Sequence, residues 1–386
     1  MSRRRTWDAA DRLALQTARA VLNPDAAHEQ FPVPDPDTMP ELLASQGLLM
    51  HANPAWPLYG LTSSQQQRMA AHIKLLGIIA LTRTRAVTAV AEALDAAGVR
   101  FLLIKGVALA QQVWGRRSAR GAGDIDILVA ESDLEATAAV LADLGAVPQR
   151  TDRDLRPRAK DRRMHHALTF HYADTDVDVH YRLDAIPTVF TVPFEEFYAR
   201  STDVTIGARN LRTLSPTDAL LLVACHGGRD SWVKWGSVLD FVALWRSACD
   251  AGDGSVSRSD EVLARAATVG AGGRLGVALA LGRVLDPTLP QQSPRATRIA
   301  RHVVALHAAV PDDSIWVQRG RGWGQYRVKL ASAGTREAYL WGARSFVWEG
   351  DLDKRPGYQG PGSSAVEVAS KVASMASHAF GSGRLR

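Results

Sequence analysis

The stretch Gly121–Asp133, GAGDIDILVAESD, sets two carboxylates one residue apart at the start of an apolar run. Side chains on a strand alternate faces, so Asp124 and Asp126 project to one side, roughly 7 Å apart along the chain. Ile125 and Ile127 then point into a core on the other side. Further on, DTDVDVHYRL (174–183) repeats the alternation. Asp174, Asp176, Asp178, His180 and Arg182 share one face, and Val177, Val179, Tyr181 and Leu183 share the buried one. If the two strands are neighbours, a third carboxylate, Asp178 or alternatively Asp176, joins Asp124 and Asp126 in one acidic cluster.

Three carboxylates brought together repel one another and raise their own pKa values unless a cation neutralises them. Mg²⁺, or Mn²⁺ in its place, suits such a set because hard dications take oxygen ligands and share them with substrate phosphates. Two ions about 3.5–4 Å apart clamp the attacking and leaving oxygens of a phosphoryl transfer. In that arrangement Asp124 and Asp126 hold metal and triphosphate, while Asp178 holds a second metal and activates the incoming hydroxyl.

Upstream, Phe101-Leu-Leu-Ile104 reads as a short buried strand, and Lys105-Gly106 leads into a helix over about 107–114. Glycine lets the backbone approach a phosphate closely, and the helix N-terminus offers N–H groups to an anion. Lys105 adds a point charge. The GxxxxGK[ST] spacing of a Walker loop is absent.

Helical spacing marks residues 8–22 and 64–98, joined through a Pro-rich connector at 31–40. A helix capped by Ser132 or Asp133 runs to Leu144. After a basic interval (150–163), strands are expected at 167–172 and 176–183, with a turn at 173–175. Helical patterns dominate from Ser215 to about 310, broken by a Gly/Ser-rich stretch at 251–257. A Trp- and Arg-rich region (316–358), a linker (355–363) and a small-residue helix (364–380) follow. The expected division is 1–74, an N-terminal helical region; 75–212, an α/β core; 213–354, a C-terminal helical domain; and 355–386, a linker with a terminal helix.

Lys and Arg exceed Asp and Glu by 46 − 40 = 6 over 386 residues, a modest basic balance that favours a nucleotide or an acidic partner. Two cysteines, Cys225 and Cys249, form no disulfide framework. No apolar run is long enough for a bilayer, so a cytoplasmic chain without membrane contact is expected.

At these residues the chain resembles the nucleotidyltransferase superfamily related to DNA polymerase beta. It is most similar to the branch described as uncharacterised nucleotidyltransferases. The matching motifs are Lys105-Gly106, Arg120 with Gly123 to Val129, Val177 to Arg182, Cys225-His226-Gly227, Trp232, Lys234-Trp235 and Leu239-Asp240. Val107 departs from the small residue usual after the glycine turn, and the stretch from Gly106 to Asp124 is long.

The resemblance implies an α/β (α+β) fold, with a nucleotidyltransferase-like core around a small mixed sheet and a helical domain closing the cleft. It implies Mg²⁺-dependent transfer of a nucleoside monophosphate, most simply AMP from ATP, with pyrophosphate released. Asp124, Asp126 and Asp178 become the catalytic and metal residues. Lys105, Gly106, Gly123, Arg120, Lys234, Asp240 and His226 become nucleotide-binding candidates, with structural ion pairs and core packing as the alternative for the last three. His180 and Arg182 become substrate contacts.

The acceptor is a hydroxyl or phosphate on a small molecule or peptide, or on an RNA end as in a tRNA-modifying toxin. A catalytically silent nucleotide-binding scaffold of the same fold is the non-enzymatic alternative.

Overall fold

The structure, a computed structural model, describes residues 3–26, 30, 33, 35–116, 119–120, 123–149, 166–184, 186, 188–249 and 258–307. The basic interval 150–163, the break at 251–257, the Trp/Arg-rich region, the linker and the terminal helix expected from sequence lie outside them.

Ile125–Val129 form strand β2, buried at every position. β1 (Phe101–Ile104) runs antiparallel on one side of it and β5 (Thr175–His180) runs parallel on the other. Outside β5 lie β4 (Ala167–Tyr172) and β3 (Val147–Pro148); outside β1 lie β7 (Arg209–Thr213) and β6 (Thr202–Ile206). The result is a seven-stranded mixed sheet of order β3-β4-β5-β2-β1-β7-β6.

β4 and β5 are joined by the two-residue turn Ala173-Asp174, both with positive φ (48° and 61°), the backbone that matches the twist of a tight hairpin. β5 stops at His180, because Tyr181 and Arg182 leave the ladder to bond the carbonyl of His166. It is therefore shorter than the expected 176–183. The β6–β7 hairpin turns at Gly207 (φ 65°); its largely polar alternation carries no strand signal in the sequence.

Eleven α-helices are present among the described residues: α1 (Arg3–Leu22), α2 (Met39–Ser45), α3 (Ser63–Ala96), α4 (Gly106–Trp114), α5 (Leu134–Asp143), α6 (Phe194–Arg200), α7 (Pro216–Arg229), α8 (Trp235–Cys249), α9 (Arg258–Thr268), α10 (Gly272–Gly282) and α11 (Pro294–His307). None is long and apolar enough to cross a membrane. α3 starts at a capping box, in which Thr62 N–H donates to Gln65 Oε1 at 2.9 Å and Gln65 N–H donates back to the Thr62 hydroxyl. It is one continuous helix, so residue 74 lies inside it.

Two cores separate the faces of the sheet. Ile125, Ile127, Val129, Val177 and Val179 pack against the C-terminal half of α3 (Val87, Val90, Leu94) and against Leu134 and Leu141 of α5. Leu102, Ile104 and Leu128, on the face that also carries Asp126, pack into a larger core with α7, α8, α10 and the N-terminal helices. Trp232 and Trp235 are wholly buried there.

The N-terminal segment is bolted to this layer through backbone contacts. Gly236 N–H donates to Gln46 O at 2.8 Å, and a Cβ at Gly236 would lie 2.6 Å from Gly47 O. Gly236→Ala must push backbone apart. We expect it to lower the unfolding free energy by about 1–3 kcal/mol in urea denaturation; a loss below about 0.5 kcal/mol would contradict this packing.

Candidate active site

Because β2 and β5 are parallel and in register, Asp126 stands directly opposite Asp178, and alternation points both side chains to the same face. His180, two residues beyond Asp178, comes back across to Asp126, with Nε2 2.8 Å from Oδ1. Lys105, at the end of β1, places Nζ 2.9 Å from the same oxygen. Asp126, Asp178 and His180 each present a ligand atom within 4.8 Å of the others, a group able to hold a metal ion.

Asp126 is nearly buried, and burial alone would raise its pKa; Lys105 and His180 overcome that and hold the carboxyl well below its usual range. Burial, reinforced by Lys105, holds the His180 pKa down. Asp124 behaves oppositely. Partial burial raises its pKa, and the charges of Asp178, Asp126 and Asp176 raise it further against weaker relief from Arg83. Thr169 on β4 donates to Asp178 Oδ1 at 2.6 Å. Asp176 pairs with His171 at 3.1 Å towards the solvent edge, so of the two alternatives Asp178 is the one opposite Asp126.

The turn after β1 has a strained backbone. Lys105 has φ 55° and ψ −149°, a region L-residues seldom adopt. Gly106 has φ 41°, and a Cβ there would meet Asp124 O at 3.2 Å. Gly106, Gly123, Asp124 and Asp126 line one small cavity together with Arg83 of α3. Arg83 Nη1 donates to Gly123 O at 2.6 Å and to the Thr175 hydroxyl. Sequence reading missed Arg83: an arginine on a helix near the exposed Arg85 carries no signal of its own.

The other expected residues divide. Asp240 is buried, with Oδ1 accepting from Trp114 Nε1 at 2.8 Å and Oδ2 2.7 Å from Arg120. Both oxygens are thus engaged in a clamp between α8 and the loop before β2. His226 pairs with Asp230 at 2.7 Å, and Lys234 is exposed ahead of α8. Arg182 is half-buried beside the Tyr181 ring. His180, expected to touch substrate, belongs to the group able to ligate metal. Arg229 escaped the sequence, and His166 shows no metal-ligand spacing there and reads as structural. The His166 ring lies 5.4 Å from that of His180, and its Nε2 accepts from Arg229 Nη1 at 2.9 Å. Burial, then Arg229, pushes the His166 pKa down to about 2, so its imidazole is neutral.

The donor set suits a hard dication. It offers two opposed carboxylates and one imidazole; Asp124, expected from sequence as a third ligand, is not among the three. The family profile described as uncharacterised nucleotidyltransferase matches residues 47–285, more than half of the chain and a span that contains every residue named in this site. Neither the curated proteins nor the solved structures give a match.

The raised Asp124 pKa has a stability consequence. Above the ordinary carboxyl value of 3.8, the folded protein keeps a proton that the unfolded chain has released, so stability falls as pH rises through the window up to the folded value. Asp124→Asn is expected to raise the Tm of the metal-free protein at pH 7.5 by about one or two degrees, and to leave it unchanged near pH 3.5. A lower Tm at pH 7.5 in differential scanning calorimetry would contradict the clustering of charge.

Proposed function

The chain belongs to the uncharacterised nucleotidyltransferase family, and from that premise we propose that it transfers a nucleoside monophosphate, most simply AMP from ATP, to a hydroxyl or phosphate oxygen of an acceptor with Mg²⁺ as cofactor. The single observation that carries this reading is the opposition of Asp126 and Asp178 in register on one sheet face, within ligand distance of each other and of His180. A surface without chemistry to perform has no reason to hold like charges so close.

Asp126 and Asp178 would hold the dication, with His180 as the further donor at hand. A dication bound there supplies charge neutralisation for the triphosphate and polarises the phosphorus under attack. Lys105 and the Gly106 backbone are the groups for the phosphate tail, since a lysine and a glycine at a helix N-terminus present charge and N–H donors to an anion. Thr169 occupies one oxygen of Asp178, leaving the second to take the proton of the acceptor hydroxyl. The acceptor oxygen then bonds to the α-phosphorus, the bond from that phosphorus to the bridging oxygen breaks, and pyrophosphate leaves. Most of the rate enhancement in such a site comes from positioning. The acceptor class we assign is a small molecule or peptide.

The test is Mg²⁺-dependent pyrophosphate release from each NTP, with a metabolite extract as acceptor source. Asp126→Asn and Asp178→Asn are expected to lower the rate by about 10²–10³-fold, and Thr169→Val by about tenfold. Nucleotide binding without turnover, unaffected by either aspartate change, would replace this reading with that of a scaffold.

A further inference from the structure

We propose that Arg229, in the last turn of α7, is the contact through which the helical layer grips the triphosphate of the bound nucleotide; the inference rests on the nucleotidyl-transfer reading above. Its guanidinium donates to His166 Nε2 at 2.9 Å, the His166 ring lies 5.4 Å from His180, and His180 Nε2 lies 2.8 Å from Asp126. Arg229 thus stands two imidazoles from the carboxylate that would hold the dication.

Three separate elements supply cations around this group: Lys105 at the end of β1, which pairs with Asp126, Arg182 just after β5, and Arg229 from α7. All three act on His166 electrostatically.

The position of Arg229 is fixed by packing. A Cβ at Gly227 would fall 2.6 Å from the buried Trp232 ring, and Trp232 N–H donates to Gly227 O at 2.7 Å. The end of α7 is therefore held against Trp232, which sets where Arg229 leaves the helix.

An arginine in the last helical turn also complements the helix dipole, and Arg229 Nε lies 3.4 Å from Asp230. That carboxylate is held more tightly by His226, at 2.7 Å, and the imidazole that takes the other guanidinium bond brings no counter-charge. The Nε edge of Arg229 meets Asp230 only at 3.4 Å, and its Nη1 meets an imidazole, so the guanidinium keeps N–H donors for a phosphate oxygen. The side chain is 21% exposed, and its planar fork matches phosphate oxygens better than an ammonium does. A nucleoside triphosphate is the anion that a carboxylate pair with dications would bring to this place.

Calorimetric titration of the full chain with Mg²⁺ and three probes tests this: a non-hydrolysable ATP analogue, inorganic tripolyphosphate and AMP. Arg229→Gln is expected to weaken the analogue and tripolyphosphate by about 10–100-fold, while AMP affinity stays unchanged. Arg229→Lys, which keeps the charge and loses the fork, is expected to weaken both polyphosphate probes by several-fold and decides the matter if the glutamine variant does not fold. Wild-type affinity for tripolyphosphate in these variants, or equal losses for AMP and the analogue, would overturn the inference and leave nucleotidyl transfer standing. A wild-type chain that binds none of the three probes would overturn both.

Discussion

Two carboxylates at matched positions of neighbouring parallel strands, on the same face, cannot both be charged cheaply away from bulk water. The molecule meets part of that cost itself. Lys105 and His180 stabilise the charge on Asp126, and Thr169 donates to Asp178. Asp124 beside them has its pKa raised by burial first and by the charges of Asp178, Asp126 and Asp176 after that. A site that keeps an excess of oxygen donors is one in which a dication gains more than it loses on dehydration. Burial without such a cation would favour replacing one carboxylate by an apolar side chain.

The rest of the fold keeps this arrangement in place. The sheet fixes the register of β2 and β5, and the valine and isoleucine face packed under α3 and α5 makes a one-residue slip prohibitive, since every side chain would change sides. α3 also sends Arg83 forward to bind Gly123 O and the Thr175 hydroxyl, tying the start of β2 to the start of β5. From the other side, Arg120 and Trp114 converge on the buried Asp240, which fastens the loop before β2 to α8. The N-terminal helices reinforce the same layer: Arg246 of α8 donates to Leu22 O at 2.8 Å, and Gly236 sits against Gln46 and Gly47.

What the sequence revealed follows from what is local. The alternation of GDIDILV and DTDVDVHYR identified the strands, the shared face of Asp126 and Asp178 and the hairpin between β4 and β5, because the period of a strand is written into consecutive residues; Asp174 falls in the turn instead. The strand–Lys105-Gly106–helix unit was legible for the same reason. Pairing was not: whether Asp176 or Asp178 opposes Asp126 depends on a register set by contacts tens of residues away. His180 showed its face and not its reach back to Asp126. Arg83 and Arg229 were silent, because an arginine on a helix looks alike whether it faces solvent or a glycine carbonyl. Asp240 and Arg120 were read as separate nucleotide contacts, and only the tertiary fold shows them bonded to each other. β6 and β7 escaped because their alternating residues are largely polar.

Diffraction from crystals soaked with Mn²⁺ and a non-hydrolysable NTP, collected for anomalous signal, tests the central claim most directly. The account predicts an anomalous peak bonded to oxygens of both Asp126 and Asp178, with the triphosphate against it, and loss of that peak in Asp178→Asn. A nucleotide bound with no manganese between those two carboxylates, or manganese bound only at another place in the molecule, would contradict it.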